Sequence, residues 1–132
     1  MPKIDFLPKQ LECFQALTVD SSVEWVLVGG GRGGAKSFTG SVWQIWRRLK
    51  YPGTRGLIGR SKLDTLKKTT LKTFFEVCGL YGLRMDKDIF FNAQSNVITF
   101  SNGSEILLKD LFAYPSDPEF QQLQGLELTD AW

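Results

Sequence analysis

Residues 29 to 38, GGGRGGAKSF, set five glycines, an arginine, a lysine and a serine between an apolar run and an amphipathic one. A phosphate-binding loop requires a strand, then glycines, then Lys-Ser at the start of a helix. Glycines let backbone N–H groups close around phosphate oxygens, and the helix N-terminus aims further N–H groups at the same place. The lysine reaches the terminal phosphates, and the hydroxyl ligates Mg2+. Val28, Gly29 to Gly34, Lys36, Ser37 and then Phe38 onward meet that order. Against G-x-x-x-x-G-K-[ST], Gly30 fits the first glycine and Lys36-Ser37 fit the end, while Ala35 holds the second glycine's place. One methyl group is tolerated there if φ stays negative, and Gly34 beside it keeps the backbone adaptable. The candidate contacts to a nucleoside triphosphate are therefore Gly30, Gly31, Gly33, Gly34, Ala35, Lys36 and Ser37, with Ser37 also the candidate Mg2+ ligand through its hydroxyl. The competing reading is a Gly-rich linker with an incidental Lys-Ser. Linkers rarely sit directly between an apolar strand and an amphipathic helix.

The elements that must hold this loop are legible on both sides. PKQLECFQAL (8–17) reads as a short helix, with Pro8 suited to its first turn. EWVLV (24–28) is a brief apolar strand that runs straight into the glycines. Phe38, Val42, Ile45, Trp46 and Leu49 recur at helical spacing and predict a helix that ends before Tyr51-Pro52-Gly53. RGLIGR (55–60) is a second short strand, and Leu63, Leu66, Thr70, Phe74 and Val77 mark one face of a longer helix stopping near Gly79 to Gly82. From residue 89 the texture changes. IFF, NVITF and EILLKDL are separated by NAQS and SNGS, and Asn102-Gly103 predicts a two-residue type I′ turn within an antiparallel meander. PSDPEF (115–120) opens a turn and a helical turn through Leu123, and LELTDAW begins another extended segment. Strand, loop, helix, strand and helix make an α/β alternation, with the meander as an insertion.

Composition narrows the class. The chain of 132 residues carries a net charge of +2, too mild to indicate nucleic-acid binding by itself. It contains no histidine, which excludes His-based catalysis and His metal sites. Cys13 and Cys78 fall in separate predicted helices, a pattern of reduced thiols and not of a disulfide framework. The start, MPKIDFLPKQ, shows no signal-peptide core, and no run approaches membrane-spanning length, so a cytoplasmic protein with no membrane partner is expected.

Several segments together resemble the ATPase domain of the large terminase subunit, the DNA-packaging motor protein of tailed bacteriophages. GGGRGGAKS looks like that family's variant Walker A, in which an arginine often stands four residues before the lysine, the place of Arg32. PKQLECF is similar to the upstream adenine-recognition segment, which makes Gln10 the candidate for the adenine edge. RGLIGRSKLDTLKKTTLKTFFE resembles the strand and helix after Walker A, VITFSNGSEILLKDL the family's Asn-Gly hairpin, and EFQQLQGLELTDAW its approach to Walker B. The resemblance covers nearly the whole chain and its segments come in the family's order.

It implies a P-loop NTPase core of the ASCE kind, a mostly parallel sheet flanked by helices, here as the N-terminal part of the domain. It implies ATP and Mg2+ as cofactors, with Lys36 and Arg32 in the catalytic set. It further implies viral double-stranded DNA, the portal protein, the small terminase subunit and the remainder of the terminase chain as partners. A homo-oligomeric motor in the host bacterial cytoplasm completes the expectation. Two departures stand out. Ala35 replaces a glycine, and the family's last segment would continue to an Asp-Glu pair that holds the Mg2+ shell and orients water. The 132 residues end at Trp132, before the place expected for that pair and for the nuclease domain typical of the family. Asp130 does not replace them, because Glu127 and Thr129 interrupt the apolar run expected before such an aspartate; it reads as a strand-entry residue.

Three functional classes stay open: part of a packaging ATPase, a helicase-type P-loop ATPase, and a split or truncated terminase fragment that binds a partner without activity alone. A nucleotide kinase would carry an arginine-rich lid, which is not found. The chain by itself is expected to bind nucleotide weakly, hydrolyse it hardly at all, and expose Leu126, Leu128 and Trp132. Lys62, Lys67, Lys68 and Lys72, together with Arg47, Arg48 and Lys50, could touch a DNA backbone or form solvated helix faces. Trp43 and Trp46 read as packing residues, Asp86 and Asp88 as turn residues. Arg60 falls at a strand end, either facing a ligand or held in an ion pair.

Overall fold

The computed structural model describes residues 8–18, 35–111, 115–116 and 125–132. The expected strand at 24–28, the glycine loop at 29–34 and the expected helical turn after 117 lie outside the described residues. Helix α1 is Pro8–Thr18 and α2 is Ala35–Lys50. Strand β1, Arg55–Arg60, is followed by α3 (Leu63–Thr65), a π-helical turn (Leu66–Thr70) and α4 (Leu71–Leu80). Strands β2 (Ile89–Asn92), β3 (Val97–Phe100), β4 (Glu105–Asp110) and β5 (Asp130–Ala131) complete the order.

The strands form a five-stranded sheet in the order β2-β3-β4-β1-β5. The pairs β2-β3 and β3-β4 are antiparallel, whereas β1 pairs in parallel with both β4 and β5. The meander is therefore not an insertion beside the sheet. Its last strand is β1's partner over the whole register from Arg55↔Glu105 to Arg60↔Asp110. Among the described residues the sheet is mixed, where a mostly parallel one was expected. The reason is physical: Ile106 and Leu108 of β4 need burial, and the edge of β1 offers both a hydrogen-bond ladder and the apolar layer under α2 and α4. Strand β1 itself buries Gly56, Leu57 and Ile58 in succession, as a strand flanked on both sides does.

The Asn102-Gly103 turn also differs from expectation. Thr99 pairs with Glu105, Phe100 N–H donates to the Ser104 carbonyl, and Gly103 N–H donates to the Phe100 carbonyl at 3.0 Å. The loop thus has three residues, Ser101 to Gly103, with Gly103 alone of the Asn-Gly pair at positive φ (+88°). A type I′ turn would require positive φ at Asn102 as well. Asn102 is committed elsewhere: its Oδ1 accepts from Ser104 N–H, and its Nδ2 donates to the Arg48 carbonyl at 2.8 Å. The Ser104 hydroxyl lies 3.2 Å from that same carbonyl. The hairpin tip so satisfies the last turn of α2, whose carbonyls have no partner within the helix.

Helices α3 and α4 are one continuous helix through the π turn, because Thr65, Thr70 and Leu71 all keep right-handed helical backbone. Leu71 N–H donates to the Leu66 carbonyl, five residues back, and the Thr69 hydroxyl donates to the Thr65 carbonyl at 2.6 Å. The expected face holds: Leu66, Thr70, Phe74 and Val77 are buried. Leu66, Phe74 and Val77 join Val42, Ile45, Ile89, Ile98, Phe100, Ile106 and Leu108 in a single core. Leu49, expected on the buried stripe of α2, stands exposed, the inward position of that turn being taken by Arg48.

Candidate functional site

The direction of α2 decides where its first turn lies. Gly56 pairs with Asp130 near the start of β1 and β5, and the chain continues through Trp132, whose N–H donates to the Leu57 carbonyl. Arg48 and Gln44 of α2 lie on Gly56: a Cβ there would collide with Arg48 Nη1 and Gln44 Oε1. Eight residues earlier on the helix, a Cβ on Gly40 would collide with the Trp132 indole. Going from Gly56 toward Trp132 along the strands thus means going backward along α2, so the helix runs antiparallel to them. Lys36 and Ser37 lie one turn beyond Gly40, about 6 Å along the axis. They stand at the carboxyl edge of the parallel strands, where α/β sheets bind ligands.

The sequence-derived candidates fall as follows. Ala35, Lys36 and Ser37 form the start of α2, with Lys36 and Ser37 half-buried. Gly30, Gly31, Arg32, Gly33 and Gly34 lie outside the described residues. Gln10 is half-buried on α1, which packs on α2 through the edge-on contact of Phe14 with Trp46, ring centroids 5.9 Å apart. That contact lies ten residues along α2 from Lys36. Trp43 and Trp46 are packing residues, as expected.

A polar network that the sequence reading did not anticipate fixes α2 to the sheet. Arg48 is fully buried. It donates to Thr54 Oγ1 and Gln44 Oε1, each at 3.0 Å, and to Asp130 Oδ2. Asp130 also accepts from Gln44 Nε2 at 3.0 Å and from Arg47 Nε at 3.2 Å. Arg47 and Lys50 further lie over aromatic rings, Arg47 5.0 Å from the Tyr51 centroid and Lys50 4.7 Å from that of Trp46. This removes Arg48 from the surface cluster expected of Arg47, Arg48 and Lys50 and ties Arg47 to Asp130, while Lys50 stays exposed. The available signal was Gln44 and Arg48 four residues apart, on a helix face whose other residues, Gly40 and Ser41, are small.

Asp130 is the strand-entry residue expected, and its carboxylate is saturated by the two arginines and Gln44. Trp132, expected to be exposed, packs on Gly40 and against the core, while Leu128 keeps 37% of its surface in solvent. On α3 through α4 the exposed Asp64, Lys68, Lys72 and Glu76 follow one another at four-residue spacing, a mixed-charge face more than a basic one. Asp88 does serve its turn: it accepts from Arg84 N–H at 2.8 Å, and that bond holds its carboxyl below the ordinary carboxylate value. Cys13 and Cys78 are free and buried.

Among the described residues no helix is long and apolar enough to cross a membrane, and no three His, Cys, Asp or Glu side chains group to hold a metal ion.

A mixed α/β sheet with a helix N-terminus set at the carboxyl edge of its parallel strands defines the architectural class. Among solved structures, the large terminase from a thermophilic bacteriophage has this fold: it matches 97% of the chain with a TM-score of 0.65 at 15% sequence identity. The chain spans 32% of that protein's length. No protein-family model matches the chain, and no curated protein matches it.

Proposed function

We propose that this chain is the nucleotide-holding part of a terminase-type ATPase, a protein that couples ATP hydrolysis to the packaging of viral double-stranded DNA. The observation that carries this reading is the place of Lys36 and Ser37, in the first turn of α2 at the carboxyl edge of the parallel strands. The likeness of fold to a phage large terminase supports it. The residues present fit a nucleotide there. The first turn of α2 contains no acidic residue to repel a phosphate, and its backbone N–H groups and dipole favour an anion. Lys36 would neutralise the terminal phosphates, the Ser37 hydroxyl would ligate Mg2+, and Gly30 to Gly34 would supply N–H groups. Bound ATP supplies the anhydride bond, and Mg2+ charge neutralisation at its phosphates. Arg32, with its planar fork, would bond phosphate oxygens, and Gln10 would bond the adenine edge. The portal protein, the small terminase subunit and further copies of the motor chain are the partners this reading implies, in the host bacterial cytoplasm.

Calorimetric titration of ATP tests it. Lys36→Ala should weaken ATP binding by about tenfold to a hundredfold, the worth of a hydrogen bond to a charged group. Equal affinity in the two proteins would remove the site from α2. In the same titrations Arg32→Ala should lower ATP affinity and Gln10→Ala should lower the preference for ATP over GTP; a residue whose variant leaves these unchanged has no such role.

A further inference from the structure

Arg60 ends β1, the strand flanked in parallel by β4 and β5, and so stands at the same carboxyl edge as the first turn of α2. Its side chain is exposed, yet it is held. Nη1 donates to Thr69 Oγ1 at 3.0 Å and to Thr70 Oγ1 at 3.1 Å. The Thr69 proton goes to the Thr65 carbonyl, which leaves the hydroxyl oxygen to Arg60 as an acceptor. Both threonines belong to the π turn, a wide turn of the kind that recurs at functional sites.

Neither partner carries charge. No salt bridge joins Arg60 to a carboxylate among the described residues, although the residue beside it across the β1-β4 ladder is Asp110. Among the described residues the guanidinium thus has no carboxylate partner, and its two bonds to threonine use Nη1 alone, fixing the group's direction at the strand's carboxyl edge. That is the equipment for a phosphate, whose oxygens match the planar fork. A short path of contacts leads from Arg60 to the site above. Gly59 N–H donates to the Trp132 carbonyl at 2.8 Å, the Trp132 indole covers Gly40, and Gly40 is one turn from Lys36.

We infer that Arg60 contacts the terminal phosphate of the nucleoside triphosphate held at α2, and so distinguishes triphosphate from diphosphate. Thr69 and Thr70 are its positioning residues. The inference rests on the nucleotide reading above and adds the residue that reads phosphate number.

The test titrates ATP and ADP into the whole chain and into R60Q, R60K and the double variant T69V/T70V, with a short DNA duplex in a separate arm. R60Q should lower ATP affinity about tenfold and leave ADP affinity unchanged, the expected loss of one charge-assisted contact. R60K should fall between, keeping charge without the fork. T69V/T70V should also lower the ATP-over-ADP ratio, a change that a purely structural pair of hydroxyls would not produce. Circular dichroism checks that each variant is folded; if R60Q is not, the other two decide. An unchanged ratio, or equal loss for ATP and ADP, overturns the inference while Lys36-dependent ATP binding leaves the parent reading standing. Weakened duplex binding with an intact ATP-over-ADP ratio also overturns it, since the phosphate is then that of a DNA backbone. A wild-type chain that binds neither nucleotide overturns both.

Discussion

Arg48 is a cation with no access to water, and Asp130 is the anion that makes this tolerable. Burying a charge costs several kcal/mol, and only a close opposite charge with further hydrogen bonds offsets it. Thr54 and Gln44 complete the guanidinium's bonding, and Gln44 passes the connection on to the second carboxylate oxygen. Asp130→Ala strips the partner and leaves the arginine buried. The expected cost is about 3–5 kcal/mol, read as a lower urea midpoint. Arg48→Met with Asp130→Leu removes both charges together and should recover most of that loss. A single Asp130→Ala variant with the midpoint of wild type would mean that the network does not hold β5.

Helix α2 is docked by shape as well as charge. Gly40 leaves the room that the Trp132 indole fills, so helix and strand approach more closely than any side chain would allow. Gly40→Ala should destabilise by about 1–3 kcal/mol through overpacking. With Trp132→Ala already in place, the same substitution meets open space and should become neutral or slightly stabilising, since alanine favours helix by about 1 kcal/mol over glycine. A thermal-melt cycle over the four proteins measures this reversal; additive effects would show that the two residues do not touch. At its other end α2 is closed by the hairpin, where Asn102 and Ser104 meet the Arg48 carbonyl. Helix, central strand and meander thus form one mechanical unit, with the α2 first turn at its far end.

Across the whole molecule, the core holds two weak acids in their neutral forms. Burial pushes the Cys78 thiol from 9.0 up to about 12, and the Tyr81 phenol from 10.0 up to about 12. In both, the folded state prefers the proton more than the unfolded state does. Their contribution is therefore complete below about pH 9 and is lost as pH rises toward 12. Urea midpoints should be level from pH 7 to 8.5 and fall steadily above pH 9. Cys78 should also resist alkylation until the chain unfolds. A midpoint that held constant to pH 11 would place both groups in contact with water.

What the sequence determined by itself was local. Helical spacing at Val42 and Ile45, the apolar RGLIGR run, and Leu66 through Val77 placed their elements because periodicity records which face is buried. The order of Gly34 to Ser37 is the sequence basis of the proposed anion site, and its chemistry is likewise contained in adjacent residues. The tertiary structure decided whatever joins distant ones. Asn102-Gly103 suits a two-residue turn, but the Arg48 carbonyl claims the asparagine and lengthens the loop. Ile106 and Leu108 alternate like any half-buried strand, and nothing in their order says that the neighbour is β1 in parallel. Arg48 and Asp130 stand 82 positions apart, so neither charge foretells the other. Arg60 likewise found two hydroxyls where a carboxylate was as plausible. Such pairings depend on which backbones come to lie side by side, and that is settled by burial across the whole chain, not by any one segment.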